Sequence, residues 1–148
     1  MDLMESVEIR AMKYDDLDDI VAIDRKVLGK DRRDYWQMKI ELSDKRSPMA
    51  SLVAVLNGQV VGFILGDASG WEYGIPDTVG YIDIIGVDPQ YSGRGIGRLL
   101  VGEMVSNLKK VGVNTVYTFV NKDSPDLMKF FMKLGFTVGD MVNLQLKV

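Results

Sequence analysis

The segment Gln90-Tyr91-Ser92-Gly93-Arg94-Gly95-Ile96-Gly97 constrains this chain more than any other stretch. Ahead of it, Tyr81-Ile82-Asp83-Ile84-Ile85-Gly86-Val87 is an apolar run rich in β-branched residues, which reads as a strand. Behind it, Ile96, Leu100, Met104 and Leu108 recur at helical spacing, with Leu99 and Val111 beside them. The unit is therefore strand, glycine loop, helix. Glycines at alternate positions strip side chains from the loop, so its backbone N–H groups can converge on one point. The helix adds its own unpaired N–H groups and the positive end of its dipole. Such a geometry binds phosphate.

Spacing narrows the choice among phosphate-binding loops. The G-x-x-x-x-G-K-[ST] pattern is absent, and G-x-G-x-x-G fails because Arg98 stands where its third glycine belongs. Q-x-x-G-x-G does fit, as Gln90, Gly93 and Gly95. Here the chain resembles the GCN5-related N-acetyltransferases (the GNAT superfamily), which hold the pyrophosphate of acetyl-CoA on such a loop. A ligand-free turn is the plainer reading of Gly-x-Gly alone. The preceding strand, the Asp88-Pro89 turn and the amphipathic helix weigh against it.

A length of 148 residues suits one domain, 1–148, with one core. The net charge is −3, and lysines and arginines are scattered, so no nucleic-acid surface is expected. Apolar runs are too short for a bilayer, and Met1 to Glu5 lacks the apolar core of a signal peptide, so a cytoplasmic protein is expected. The chain has no Cys and no His. Thiolate metal sites, a Cys acyl-enzyme, Ser-His triads and imidazole bases are excluded, and no metal is expected. An acyl transferase of this composition must transfer directly, with a carboxylate, a tyrosine or a relayed water as base.

Taken in order, Val7 to Arg10 reads as a first strand. A helix follows with Leu17, Ile20, Val21, Asp24, Val27 and Leu28 on one face, Asp15 as its cap and Gly29 as its end. Asp24 is the one polar interruption. The aspartates at 15, 16, 18 and 19 are expected to serve the helix dipole, not a metal. A second helix runs from about Tyr35 to Leu42. Trp36 is assigned to the core, while Tyr35 is either core or a wall of the acceptor pocket. Ser51–Leu56, Asn57-Gly58 and Gln59–Leu65 form a hairpin. Gly66 to Thr78 is a long loop, and its Trp71, Glu72 and Tyr73 either touch substrate or pack on themselves. Gly86 inside a buried strand marks a bulge or a close backbone approach. Asn114 to Val120 is a further strand, parallel to 81–87 through a right-handed crossover. The last helix begins at Pro125, capped by Ser124, turns Met128, Phe131 and Met132 inward and ends at Gly135. Alternation from Met141 to Leu146 predicts a final strand or strands within 136–148.

The resemblance covers nearly the whole chain. It is carried by Ile9-Arg10 with Asp15-Asp16-Leu17, Val60-Val61-Gly62-Phe63, Val87-Asp88-Pro89, the glycine loop and Leu134-Gly135-Phe136, in that order. It implies an α/β (α+β) fold, with a mixed, mostly antiparallel sheet of six or seven strands and helices on both faces. The fourth and fifth strands are parallel and splay, with the cofactor in the gap. It implies pyrophosphate on the N–H groups from Tyr91 or Ser92 through Arg98, namely Gly93, Arg94, Gly95, Ile96 and Gly97 between them, with Gln90 opening the motif. Pantetheine pairs with Ile85, Gly86 and Val87, where an N–H also faces the thioester oxygen. Arg94 or Arg98 reaches a phosphate. The final strands of this family often pair across a dimer, so a homodimer is one open assembly, and the oligomeric state is not assigned.

Two departures stand out. Many members carry a tyrosine where Phe131 stands, five positions before the phenylalanine of Leu134-Gly135-Phe136, to protonate the leaving thiolate. They also tend to carry an asparagine where Ser124 stands, and Asn121 is the candidate to replace it. For the base, Asp83 lies where related sequences often have glutamate. A buried carboxylate there would have a raised pKa, suited to accepting an amine proton. The alternative is a structural aspartate satisfied by backbone or a lysine, with Glu72 and Tyr81 as reserve bases.

The expected function is an N-acetyltransferase that moves an acetyl group from acetyl-CoA to a primary amine on a small molecule or peptide. A non-catalytic CoA-binding sensor on the same fold is the alternative, motivated by Phe131. A third reading is acetylation of a protein partner's lysine or N-terminus.

Overall fold

Asn57-Gly58 sets the frame of the sheet. Asn57 has φ 53° and Gly58 φ 78°, as the two central residues of a tight hairpin turn require. They join β2 (Ser51–Leu56) to β3 (Gln59–Asp67). The computed structural model describes residues 6–46, 48–68 and 78–148, so Trp71, Glu72 and Tyr73 lie outside the described residues. Strand β1 (Val7–Ala11) lies antiparallel on β2 and β4 (Val79–Val87) antiparallel on β3, while β5 (Thr115–Thr118) is parallel to β4. Among the described residues the sheet is five-stranded, in the order β1-β2-β3-β4-β5.

That is the expected mixed, mostly antiparallel architecture, with fewer strands than the six or seven expected. Residues 136–148 form no strand, and Val138, Val142, Leu144 and Leu146 are exposed. Alternation describes a chain able to pair. A strand forms only where a neighbour takes its backbone hydrogen bonds, and here the sheet order ends at β5.

The chain divides into two compact units, Met1–Thr118 and Phe119–Val148. In the first, α1 (Leu17–Leu28) and α2 (Arg33–Arg46) cover one face of the sheet. Ile20, Ile23, Trp36 and Ile40 meet Val53, Phe63 and Leu65 there. Trp36 is fully buried, edge-on to Phe63 at 4.8 Å, as its core assignment requires. Asp16, not Asp15, organises the start of α1. Its carboxylate accepts the Lys13 N–H at 2.8 Å and takes both guanidinium nitrogens of Arg10, at 2.8 and 2.9 Å. Asp15 is exposed and outside this network. Gly29, at φ 77°, ends α1 as expected.

The other face is covered by α3 (Ile96–Lys110), which buries Ile96, Leu100, Met104 and Leu108. It packs closely because β3 offers glycine there: a Cβ on Gly66 would stand 1.6 Å from Met104 Cε.

In the second unit α4 (Pro125–Lys133) begins on a proline as expected, but the Ser124 side chain makes no cap hydrogen bond. Phe131 is buried, with the Phe130 and Phe136 rings each 5.1 Å from it. Met128 and Met132 are exposed, not turned inward. Gly135, at φ 95°, and the Phe136 N–H bonded to Phe131 O close the helix.

One irregularity in β4 positions the site. Leu65 pairs with Ile84, but Gly66 pairs with Ile82, so Asp83 is an extra residue with no partner on β3. This is a β-bulge, three residues earlier than the Gly86 where it was expected. Gly86 instead serves a close approach: the Phe63 ring lies over it, 2.5 Å from where a Cβ would sit. The parallel ladder to β5 runs from Val79↔Thr115 to Ile82↔Thr118 and stops where the bulge begins. From Asp83 to Val87, β4 therefore has no strand partner on its β5 side among the described residues.

Candidate active site

Asp88 decides how the chain leaves β4. Its own N–H donates to Val61 O at 2.8 Å. Its buried carboxylate accepts the Gln90 N–H at 3.0 Å on Oδ1 and the Lys26 ammonium at 3.0 Å on Oδ2. The next residues, Pro89–Tyr91, make one 3-10 turn, with Tyr91 N–H on Asp88 O at 2.8 Å and Ser92 N–H on Pro89 O at 3.3 Å. The amides of Gln90, Tyr91 and Ser92 are thus committed within the turn.

The amides that follow are not. Gly93 (φ 77°) and Gly95 (φ 88°) turn the backbone left-handed, and Gly95 caps α3. The first bond of the helix is Leu99 N–H to Gly95 O at 3.1 Å. From Gly93 through Ile96 to Gly97 and Arg98, no N–H has a protein acceptor among the described residues. The expected cradle began at Tyr91 or Ser92; its open part begins at Gly93. No acidic side chain lies in the first turn of α3. Arg94 and Arg98 are exposed, and the Arg94 guanidinium stands over the Tyr91 ring at 5.8 Å. Buried Ile96 anchors the start of the helix from below. The arrangement offers free donors, a helix dipole and two exposed cations to an anion.

Ile85 and Val87 sit half-buried on the unpartnered stretch of β4, with Gly86 buried between them. Asp83 begins the same stretch, and it is not the buried carboxylate that was expected. The bulge turns it outward, leaves its side chain 48% exposed and brings it 2.5 Å from the Lys39 ammonium of α2. Burial pushes the Lys39 amine down, but Asp83 and then Tyr35 more than offset this, so it is held above the ordinary lysine value.

Lys39 belongs to a row along α2. The Tyr35 ring has the Arg32 guanidinium 4.4 Å and the Lys39 ammonium 5.6 Å from its centre. Arg32 in turn grips buried Asp24 of α1 through both carboxylate oxygens, at 2.8 and 2.9 Å. Burial pushes Asp24 up, but the Arg32 bonds outweigh it and hold the carboxyl below its usual range. Asp24, the polar interruption of α1, is thus explained. Its one signal in the sequence is an acid on an apolar face.

Asn121 and Ser124 lie in the second unit. Asn121 Oδ1 accepts the Asp123 N–H at 2.9 Å, and Asn121 O accepts the Ser124 N–H at 3.0 Å.

The family model described as "Acetyltransferase (GNAT) family" matches residues 15–136. The chain belongs to the GNAT acetyltransferase family. Its enzyme class is accordingly that of an acetyl-CoA-dependent N-acyltransferase. It is 30% identical to an acetyltransferase of Sodalis glossinidius over 139 residues, covering 93% of this chain and 92% of the relative. It is also 30% identical to an N-acetyltransferase of Methanocaldococcus jannaschii, covering 95% of this chain but 65% of that longer protein. Among solved structures, the aminoglycoside N-acetyltransferase AAC(6')-Iy in complex with CoA shares the fold. Its TM-score is 0.81 at 19% identity, over 95% of this chain and 94% of that one. In this GNAT chain, no described helix is long and apolar enough to cross a membrane.

Proposed function

We propose that this protein moves an acetyl group from acetyl-CoA directly to a primary amine held beside it. The observation that carries the reading is the run of amides from Gly93 to Arg98 that have no acceptor among the described residues, at the start of α3 and following the stretch of β4 that has no described partner on its β5 side. A pyrophosphate matches that cradle in charge and in its need for several donors. Arg94 and Arg98 meet its remaining oxygens. The backbone of Ile85, Gly86 and Val87 takes the pantetheine arm as a further strand would be taken. When bound, acetyl-CoA supplies the thioester carbonyl for attack. An N–H of the β4 edge would donate to that oxygen, and Asp83 would accept the amine proton directly or through one water. As the C–N bond forms the C–S bond breaks, and coenzyme A leaves as its thiolate and takes its proton from solvent, since Phe131 has none to give. The chain has neither Cys nor His, so no thiol or imidazole relays the acetyl group. Asn121 and Ser124 stay in the proposal on the family pattern alone.

The acceptor is read as a small-molecule amine. The fold shared with an aminoglycoside acetyltransferase supports this, as does a net charge of −3 on this chain. A second reading, a CoA-binding module without catalysis, is favoured by buried Phe131, which donates no proton. Calorimetric titration with coenzyme A, followed by thiol release from acetyl-CoA over a panel of primary amines, tests both. Binding with transfer supports the enzyme, and binding without transfer to any amine supports the module. No binding contradicts both readings.

A further inference from the structure

Asp83 has a resting partner that the transfer chemistry above does not use. Lys39 holds Asp83 Oδ2 at 2.5 Å, while Oδ1 has no partner among the described residues. The bulge is what makes the contact: it puts the extra residue of β4 on the side where α2 packs. Lys39 is itself braced. Tyr35 stands one helical turn before it on α2, and the Tyr35 ring attracts both the Lys39 ammonium and the guanidinium of Arg32, which immediately precedes the helix. Arg32 is fixed by two bonds to Asp24. A continuous row therefore runs from a buried acid on α1 across α2 to the acid on β4.

We propose that Lys39 is a positioning residue for acetyl transfer, holding one oxygen of Asp83 so that the other stays turned toward the entering acceptor ammonium. The proposal rests on the reading of β4 as the acetyl-delivery strand. Lys39 is not itself the base or the nucleophile, because Asp83 and Tyr35 keep it an ammonium through neutral pH. What it supplies is a fixed carboxylate direction. An exposed aspartate otherwise samples several rotamers, and a misplacement of about 1 Å at a reacting group lowers rates by about 100-fold.

The test is steady-state kinetics of the full chain with acetyl-CoA and the amine, from a panel of aliphatic amines, polyamines and lysine peptides, that the wild type turns over fastest. Lys39→Met is expected to lower kcat about 10- to 100-fold. The KM for acetyl-CoA and the thermal midpoint should stay near wild type. Lys39→Arg should recover most of the rate, and Tyr35→Leu should lose part of it. Wild-type kinetics in Lys39→Met would overturn the proposal alone. So would a rate loss matched by loss of stability or of acetyl-CoA binding, since that marks a structural role. If the wild type acetylates no amine in the panel, the functional reading falls and this inference with it.

Discussion

Gly93→Ala isolates one physical term in the cofactor loop. Gly93 sits at φ 77°, and a Cβ built there meets no atom within 4 Å. The substitution therefore adds no clash, only the cost of holding an L-residue left-handed, about 1–2 kcal/mol. That cost must appear somewhere. If the loop keeps its shape, the protein loses about 1–2 kcal/mol of stability and its coenzyme A affinity is unchanged. If the loop relaxes, stability is kept and the cost returns on binding, as a loss of about 5- to 30-fold in affinity. The two losses should sum to about 1–2 kcal/mol. Urea unfolding without ligand measures one, and calorimetric titration with coenzyme A measures the other. Two unchanged values would refute the argument, because the left-handed turn would then be irrelevant to fold and ligand. An affinity loss well beyond 100-fold at full stability would refute it too, since open space around the Cβ leaves no steric source for it.

Other perturbations test neighbouring parts. Gly86→Ala drives a methyl to 2.5 Å from the buried Phe63 ring, so urea unfolding should show a loss of about 1–3 kcal/mol. Lys26→Met removes the cation that pairs with Asp88; the lysine is half-exposed, so a loss of no more than about 1 kcal/mol is expected, with weaker coenzyme A binding by titration. The folded-state pKa values of Asp16 and Asp24 are both depressed. Each faces burial that pushes it up, outweighed by bonds to Arg10 and Arg32. Their contribution is full above the unfolded value of 3.8 and is lost as pH falls through the lower folded values. Urea midpoints should thus drop steeply below about pH 4 and, with no His to titrate, stay flat from about pH 5 to 8. Asp24→Asn should flatten the acid drop.

Local chemistry made much of this fold legible. Asn57-Gly58 fixed the hairpin, because two positive φ angles in a row leave few other sequences. The apolar period of Ile96, Leu100, Met104 and Leu108 fixed the buried face of α3. Non-local pairings were not legible. Asp83 reads as one alternating strand position, and only its register against Leu65 and Gly66 makes it a bulge residue facing Lys39. Asp88 and Lys26 are 62 positions apart, and nothing near either names the other. Met141 to Leu146 alternates as a strand should, yet alternation does not supply a neighbour. The candidate site divides along the same line. Its glycine loop is a local motif, while the direction of its carboxylate is set by three elements at once.

The central claim is that the amides from Gly93 to Arg98 receive the pyrophosphate of acetyl-CoA. Amide NMR of the free chain, titrated with coenzyme A, tests it directly, since glycine amides at 93, 95 and 97 fall in their own spectral region. These three should shift downfield as new hydrogen bonds form, together with Arg94, Ile96 and Arg98, while Tyr91 and Ser92, already bonded within the turn, move less. Coenzyme A that binds while these glycine amides stay still would contradict the account.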